Sequence, residues 1–444
     1  MSRLYDWPWV QKQTEQTLAT WNSCASTPAS IGPRYSPAQR REREKAYDEA
    51  LQAVELELRN APRLRSERLA TQARITAVFA RFAALALGLE DNATHILTDE
   101  FLPVGSNLAR WARRFDPDLS MPDIIQACRN AWTACGMQPL LGEQVRLTSS
   151  ILGYSLLYPY SDNYLDREDI SREAKLHFSA RFRARLRGEK LHVLESREQA
   201  LWTMVELIEG HYPRADFPQV FDCLLAIHRA QEESMAQVGA NNMCPDHELL
   251  QLSCAKGGTS VLADACLARG WLTEQENQFA FEWGVLLQLG DDLQDVAEDM
   301  QRGSVTLFSR AIARGIPLDA LVTQLLNFSD RVGDRMDQLP HGTPTLRNLL
   351  RMSWRSLILG SVANSHIFFT PNFLNEVEQE SAFGFEFLCQ RRERLTSRHG
   401  LYGTLFQAFL EAPEEDNNLP SPENRRLLQF EPDPEAIADI EATA

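Results

Sequence analysis

The stretch Gln288–Phe308, QLGDDLQDVAEDMQRGSVTLF, decides how this chain is read. It sets Asp291, Asp292, Asp295, Glu298 and Asp299 close together, directly after the apolar run Phe281–Leu287, FEWGVLL. No Pro and no capping residue intervenes, so the pattern predicts one continuous helix over 273–301. Asp291, Asp295 and Asp299 recur at i, i+4, i+8 and share one helix face. Three stacked carboxylates repel one another unless solvent, cations or a divalent metal relieves them. Carboxylate oxygens are the hard ligands Mg2+ takes, commonly one or two of them together with substrate phosphate. The bland alternative is a solvated acidic helix end. The apolar lead-in weighs against it, because a helix hydrophobic for two turns is buried there. The acidic turns are then expected to emerge at the mouth of a cavity.

Composition bounds the remaining possibilities. The chain has 444 residues, enough for one large domain with extensions or for two domains. Its 44% hydrophobic content supports a sizeable core. A net charge of −16 excludes the basic footprint of a nucleic-acid partner. It also repels an anionic ligand unless metal or local Arg intervenes. The eight Cys form no C-x-x-C pair, and the N-terminus MSRLYDWPWVQKQTEQ has no apolar signal region. Reduced thiols and a cytoplasmic location are therefore expected. No apolar run reaches the roughly 18 residues of a membrane span, so no transmembrane segment is expected. Arg greatly outnumbers Lys, which makes each of the five Lys worth locating.

Periodicity predicts an all-α protein, with helices over 39–60, 66–88, 122–135, 140–158, 170–190, 196–210, 216–238, 246–268, 273–301, 303–313, 317–337, 344–370 and 376–396. Breaks are expected at turn residues such as Gly136, Pro213, Gly270, Gly315 and Gly342. Residues 1–65 read as a charged helical extension, with Arg40–Lys45, RREREK, as a solvated face. Residues 411–444 carry ten Asp/Glu against Arg425 and Arg426, plus five Pro, and are expected to be disordered.

A second acidic element, Asp162-Asn-Tyr-Leu-Asp166-Arg167, follows the apolar run SSILGYSLLYPY. Asp162 and Asp166 share a helix face, although a D-x-x-x-D alone is a weak signal. Pro159 removes a helix hydrogen bond and is expected to kink the segment just before Asp162. Both acidic sets end apolar helical runs. If those helices face each other, two carboxylate sets meet across one apolar cavity. Basic residues fall where an anion would need them. Lys256 lies in CAKGGTS, where Gly257 and Gly258 are expected to break or kink the helix. Arg302 follows the second acidic set, and Arg183 and Arg187 lie in RFRARLR after the first. A solvated face is the ordinary reading of that Arg run, and a core or surface role that of His228.

These residues carry a family resemblance over roughly 140–310. Gln288, Asp291, Asp292, Asp295, Asp299, Gly303, Thr306 and Leu307 match in register the second aspartate-rich region of trans-prenyl diphosphate synthases. Lys256 resembles that family's diphosphate-binding lysine. DNYLDR is similar to the first acidic box of the bacterial large terpene synthases, the tetraprenyl-β-curcumene synthase group. Asp295, Glu298, Asp299 and Gly303 fit that group's Asp-x-x-Glu-Asp-x-x-x-Gly element. Asn163 stands where prenyl synthases have a second Asp, and Ser304 where they have Lys. Both departures count against chain elongation more than against diphosphate ionisation.

The resemblance implies a class I isoprenoid (terpenoid) synthase domain over 66–400, a helical bundle around a central apolar cavity. It implies Mg2+, three ions, held by Asp162, Asp166, Asp291, Asp292, Asp295 and Asp299. Asp162, Asp166, Asp291 and Asp295 would be catalytic, and Lys256, Arg302, Arg183 and Arg187 would bind the diphosphate. The implied activity is ionisation of a linear prenyl diphosphate and cyclisation of the allylic cation. Tyr158, Tyr160, Phe281 and Trp283 are candidate wall residues. A condensing prenyltransferase and a non-catalytic scaffold remain as alternatives, and a homodimer is left open.

Overall fold

The computed structural model describes residues 7–27, 32–60, 65–165, 167, 169–234, 245–397 and 419–422. The protein is all-α, with no strand among the described residues. In chain order the helices are α1 (Pro8–Ser23), α2 (Pro37–Arg59), α3 (Arg65–Phe82), α4 (Asp91–His95), α5 (Leu102–Phe115), α6 (Met121–Leu140), α7 (Ser149–Leu165), α8 (Arg172–Leu186), α9 (Ser196–His211), α10 (Pro218–Ser234), α11 (Asp246–Arg269), α12 (Glu274–Gln294), α13 (Val296–Arg302), α14 (Leu307–Ala313), α15 (Asp319–Asp337), α16 (Pro344–Asn364), α17 (Pro371–Glu378) and α18 (Phe385–Ser397). Short π-helical turns, Ala83–Leu87 and Ile96–Phe101, flank α4.

Local chemistry sets the boundaries. Gly270, at φ 95°, ends α11 in the left-handed conformation that glycine tolerates. Three residues on, Thr273 and Glu276 form a capping box that starts α12. The connection is therefore a tight reversal, and α11 and α12 pack antiparallel. Two carboxylates from other elements, Glu44 and Glu378, accept from the consecutive backbone N–H groups of Gly384 and Phe385 at 2.8 and 2.7 Å, which starts α18 after a break. The expected single helix over 376–396 is thus two.

The core centres on α11, which is apolar on nearly every side and buried from Ser253 to Ala268 except at Lys256 and Ser260. α12, α10, α6, α7 and α1 surround it. The N-terminal segment contributes directly. α1 buries Val10 and Trp21, and Trp21 meets Phe328 of α15 edge-on at 5.7 Å. Within RREREK, Arg43 donates to the Ala86 carbonyl at 2.9 Å and lies over the Tyr35 ring, so that face is partly engaged.

Two glycine expectations are corrected by packing. Gly136 does not end α6, which continues to Leu140; a Cβ there would stand 3.4 Å from the Trp283 ring. Gly257 and Gly258 do not break α11. Pro159 likewise lies inside α7, which continues to Leu165.

Candidate active site

The register of four helices brings the two acidic sets to one end of the bundle. Ser150 Oγ donates to the Leu267 carbonyl at 3.2 Å, and Tyr154 Oη donates to that of Ser260 at 3.4 Å. α7 therefore runs antiparallel to α11. One further turn on each helix sets Tyr158 level with Lys256, and the next sets Asp162 level with Leu252. On the other flank of α11, Ser253 Oγ donates to Asp292 Oδ2 at 2.9 Å. Asp162, Lys256, Asp291 and Asp292 thus occupy the same end.

α6 bridges the two sets. Asp123 near its start accepts from Asn163 Nδ2 at 2.6 Å, next to Asp162. Arg129, on the same helix, stands 3.7 Å from Asp291.

The glycines of CAKGG serve a close approach between helices. A Cβ on Gly284 would lie 2.0 Å from the Gly257 carbonyl oxygen, and one on Gly258 would lie 2.5 Å from the Phe281 ring. The missing side chains let the α11 and α12 backbones touch. That contact brings Lys256 beside the aspartates of α12 and α13, whose charges it moderates.

The expected continuous helix over 273–301 is interrupted once. Asp295 leaves helical geometry, at φ −95° and ψ 7°, between α12 and α13. The backbone bonds Asp295 N to Asp291 O and Asp299 N to Asp295 O, both 2.9 Å, carry the helical spacing across the junction. Asp291, Asp295 and Asp299 accordingly keep a common side.

Their charges are poorly compensated. Burial, with repulsion from Asp295 and Asp292, pushes Asp291 up to about 6 against the pull of Arg129 and Lys256. Burial and the neighbouring Asp292, Asp295 and Glu298 push Asp299 up to about 7. Asp292 is also raised by burial, although Gln288 Nε2 and Ser253 Oγ donate to its two oxygens at 2.8 and 2.9 Å. A cation would relieve this set.

The other sequence-selected residues divide. Asp162 is oriented by Gln231 Nε2 of α10, at 2.6 Å, and by Ser161 Oγ at 3.0 Å. Asp166 lies outside the described residues. Arg183 is not free for an anion: both Glu232 oxygens take its Nη1, at 3.0 and 2.9 Å. Arg187 is exposed where α8 ends. Arg302 is exposed and paired with Glu298 at 2.6 Å, one turn back on α13. His228 is a buried core residue.

Of the expected wall residues, Tyr158 stays on the inner side by register. Tyr160 turns away and donates to Asp116 Oδ2 at 2.8 Å. Phe281 is buried over Gly258, and Trp283 lines a cavity that none of the described site aspartates lines. The sequence reading missed Arg129 and Ser253. Nothing in the local pattern singles either out, and only the tertiary partner gives it meaning.

Among the described residues no three acidic, His or Cys side chains close on one point. Successive aspartates of the i, i+4 set stand about 6 Å apart along the axis. Each ion would therefore meet one or two protein carboxylates and take its other oxygens from substrate or water, as Mg2+ commonly does. The donor chemistry and the uncompensated charge fit that ion. No known family model matches the chain, and no curated protein aligns with it significantly.

Proposed function

We propose that the protein is an Mg2+-dependent class I isoprenoid synthase that ionises a linear prenyl diphosphate and cyclises or rearranges the allylic cation, releasing diphosphate. The observation that carries this reading is the convergence, at one end of an all-α bundle, of Asp162, Lys256 and the Asp291–Asp299 face.

Asp162, Asp291, Asp295 and Asp299 would hold the ions, with Asp166 as a further ligand implied by the resemblance. Bound Mg2+ supplies Lewis-acid stabilisation of the departing diphosphate. Lys256 and Arg129 supply fixed positive charge at the same end, where leaving-group charge develops. Gln231 and Ser161 fix the Asp162 carboxylate, and Ser253 and Gln288 fix Asp292, so these ligands need little rearrangement on binding. Tyr158 would face the hydrocarbon.

The deciding experiment incubates the full chain with C10 to C35 prenyl diphosphates and Mg2+. It measures diphosphate release and identifies products by mass spectrometry. Release with cyclic or rearranged hydrocarbon products supports the proposal, and full turnover in excess EDTA overturns it. Products formed only with added isopentenyl diphosphate would mark a condensing prenyltransferase instead. No release from any substrate would leave the fold as a scaffold.

A further inference from the structure

The end of α7 that carries Asp162 is held from outside the helix. Pro159 lies inside α7 and has no N–H, so residues 160–165 follow a turn with one backbone bond missing. Two side-chain bonds tie these residues to the end of α5 and the start of α6. Tyr160 Oη donates to Asp116 Oδ2 at 2.8 Å, and Asn163 Nδ2 donates to Asp123 Oδ1 at 2.6 Å. Asp116 caps the C-terminus of α5, and Asp123 stands in the first turn of α6.

Asp123 is itself fixed. Ser120 caps α6: its Oγ accepts from the Asp123 backbone N–H at 3.2 Å and donates to Asp123 Oδ2. The other oxygen, Oδ1, is the one Asn163 reaches, and an ionised carboxylate oxygen accepts only from a donor. An amide supplies that donor. A carboxylate at 163 would meet Asp123 as a like charge, so one of the two would have to take up a proton or the contact would open. The residue type at 163 is therefore set by Asp123. The two neighbours on α7 also face different helices: Asn163 bonds to α6, whereas Asp162 is held by Gln231 of α10 at 2.6 Å.

We propose that Asn163 is a positioning residue: through Asp123 it holds the turn that presents Asp162, and it takes no ion itself. This role presupposes the proposed Mg2+ site at the acidic end. Its sign is opposite to that of charge alone. One more carboxylate beside Asp162 would strengthen the pull on a cation. An Asn163→Asp change that breaks the Asp123 bond instead lets the Asp162 turn move and weakens ion binding.

The test titrates the full chain with Mn2+, alone and with inorganic diphosphate, and reads free Mn2+ by electron paramagnetic resonance. Asn163→Asp is expected to weaken Mn2+ about tenfold or more despite its added negative charge, the scale at which groups that orient metal ligands act. Adding Asp123→Asn turns the pair around, with the amide now on α6, and should bring the affinity back to within about threefold of wild type, as coupled partners do. Asn163→Ala removes the amide without adding charge and should weaken Mn2+ by a similar factor. Circular dichroism and thermal melting confirm folding, and if Asn163→Asp does not fold, Asn163→Ala decides. Unchanged or tighter Mn2+ binding in Asn163→Asp would overturn the proposal, and so would a double variant no better than Asn163→Asp. A lowered Tm with wild-type Mn2+ affinity would overturn it too, by reducing the pair to a structural contact. A wild-type chain that takes up no Mn2+ under either condition would overturn the metal site itself, and the role of Asn163 with it.

Discussion

Trp111 Nε1 donates to the Pro420 carbonyl oxygen at 2.9 Å, joining residues 309 positions apart. Trp111 is buried on α5 with its ring stacked on Phe115 at 5.1 Å, and Pro422 is buried as well. A short piece of the acidic C-terminal stretch is therefore docked on the helical body; the rest of 411–444 lies outside the described residues.

Two truncations separate these parts. Deleting 423–444 removes an acidic stretch poor in apolar residues, and the Tm is expected to hold. Deleting 419–444 also removes the Trp111 bond, about 1 kcal/mol, and should lower the Tm by about 1–3 °C. Equal melting temperatures would show that the contact contributes nothing.

At the α11–α12 contact, Gly284→Ala should destabilise the protein by about 1–3 kcal/mol or more, because the new methyl meets backbone rather than a movable side chain. Gly210→Ala is the internal control. Nothing lies within 4 Å of its Cβ position, and Ala in a helix gains about 0.5–1 kcal/mol over Gly. Urea unfolding of both variants measures the contrast. Similar shifts in both would mean the backbones can separate freely.

Lys256→Ala should lower kcat/KM at least about tenfold, or ~1.4 kcal/mol, with the Tm nearly unchanged. In the same assay Asp162→Ala should abolish turnover and Asp169→Ala should be tolerated. Asp169 is exposed and paired with Arg167, outside the inner face. Equal loss in the two Asp variants would place the site elsewhere.

Two buried groups give stability opposite pH dependences. Burial holds Asp264 well above its ordinary 3.8, so the native state keeps a proton that the unfolded chain releases. This contribution falls as pH rises above about 3.8. The advantage of Asp264→Asn, read as ΔTm, should therefore grow between pH 5 and 8. A constant difference would mean Asp264 is ionised in the fold.

Burial pushes His228 down to about 4, partly opposed by Glu232. Its contribution is complete above the unfolded value of 6.5 and is lost as pH falls toward 4. A His228→Gln variant should lack this acid slope in Tm. Retention of the full slope would assign it to other groups.

The sequence exposed the all-helical class and the acidic face because both follow from periodicity, and Asp291, Asp295 and Asp299 kept their common side. It misread Gly257. A glycine that ends a helix and one that admits a neighbouring helix look alike locally, and the partner here, Gly284, is remote in sequence. It missed α1, whose Trp21 matters only against Phe328. It selected Arg183 as an anion ligand, although Glu232 on another helix already holds it. In each case local pattern was legible and partner identity was not.

α6 connects to both acidic sets, through Asp123 to the Asp162 side and through Arg129 to Asp291. Six residues separate these anchors, about 9 Å of helix rise. That helix acts as a ruler between the two halves of the site. Its scale changes only in whole residues, and each step also turns one anchor by about 100° relative to the other. The separation therefore cannot drift gradually, and an insertion or deletion between Asp123 and Arg129 would uncouple the halves while every carboxylate remained in place.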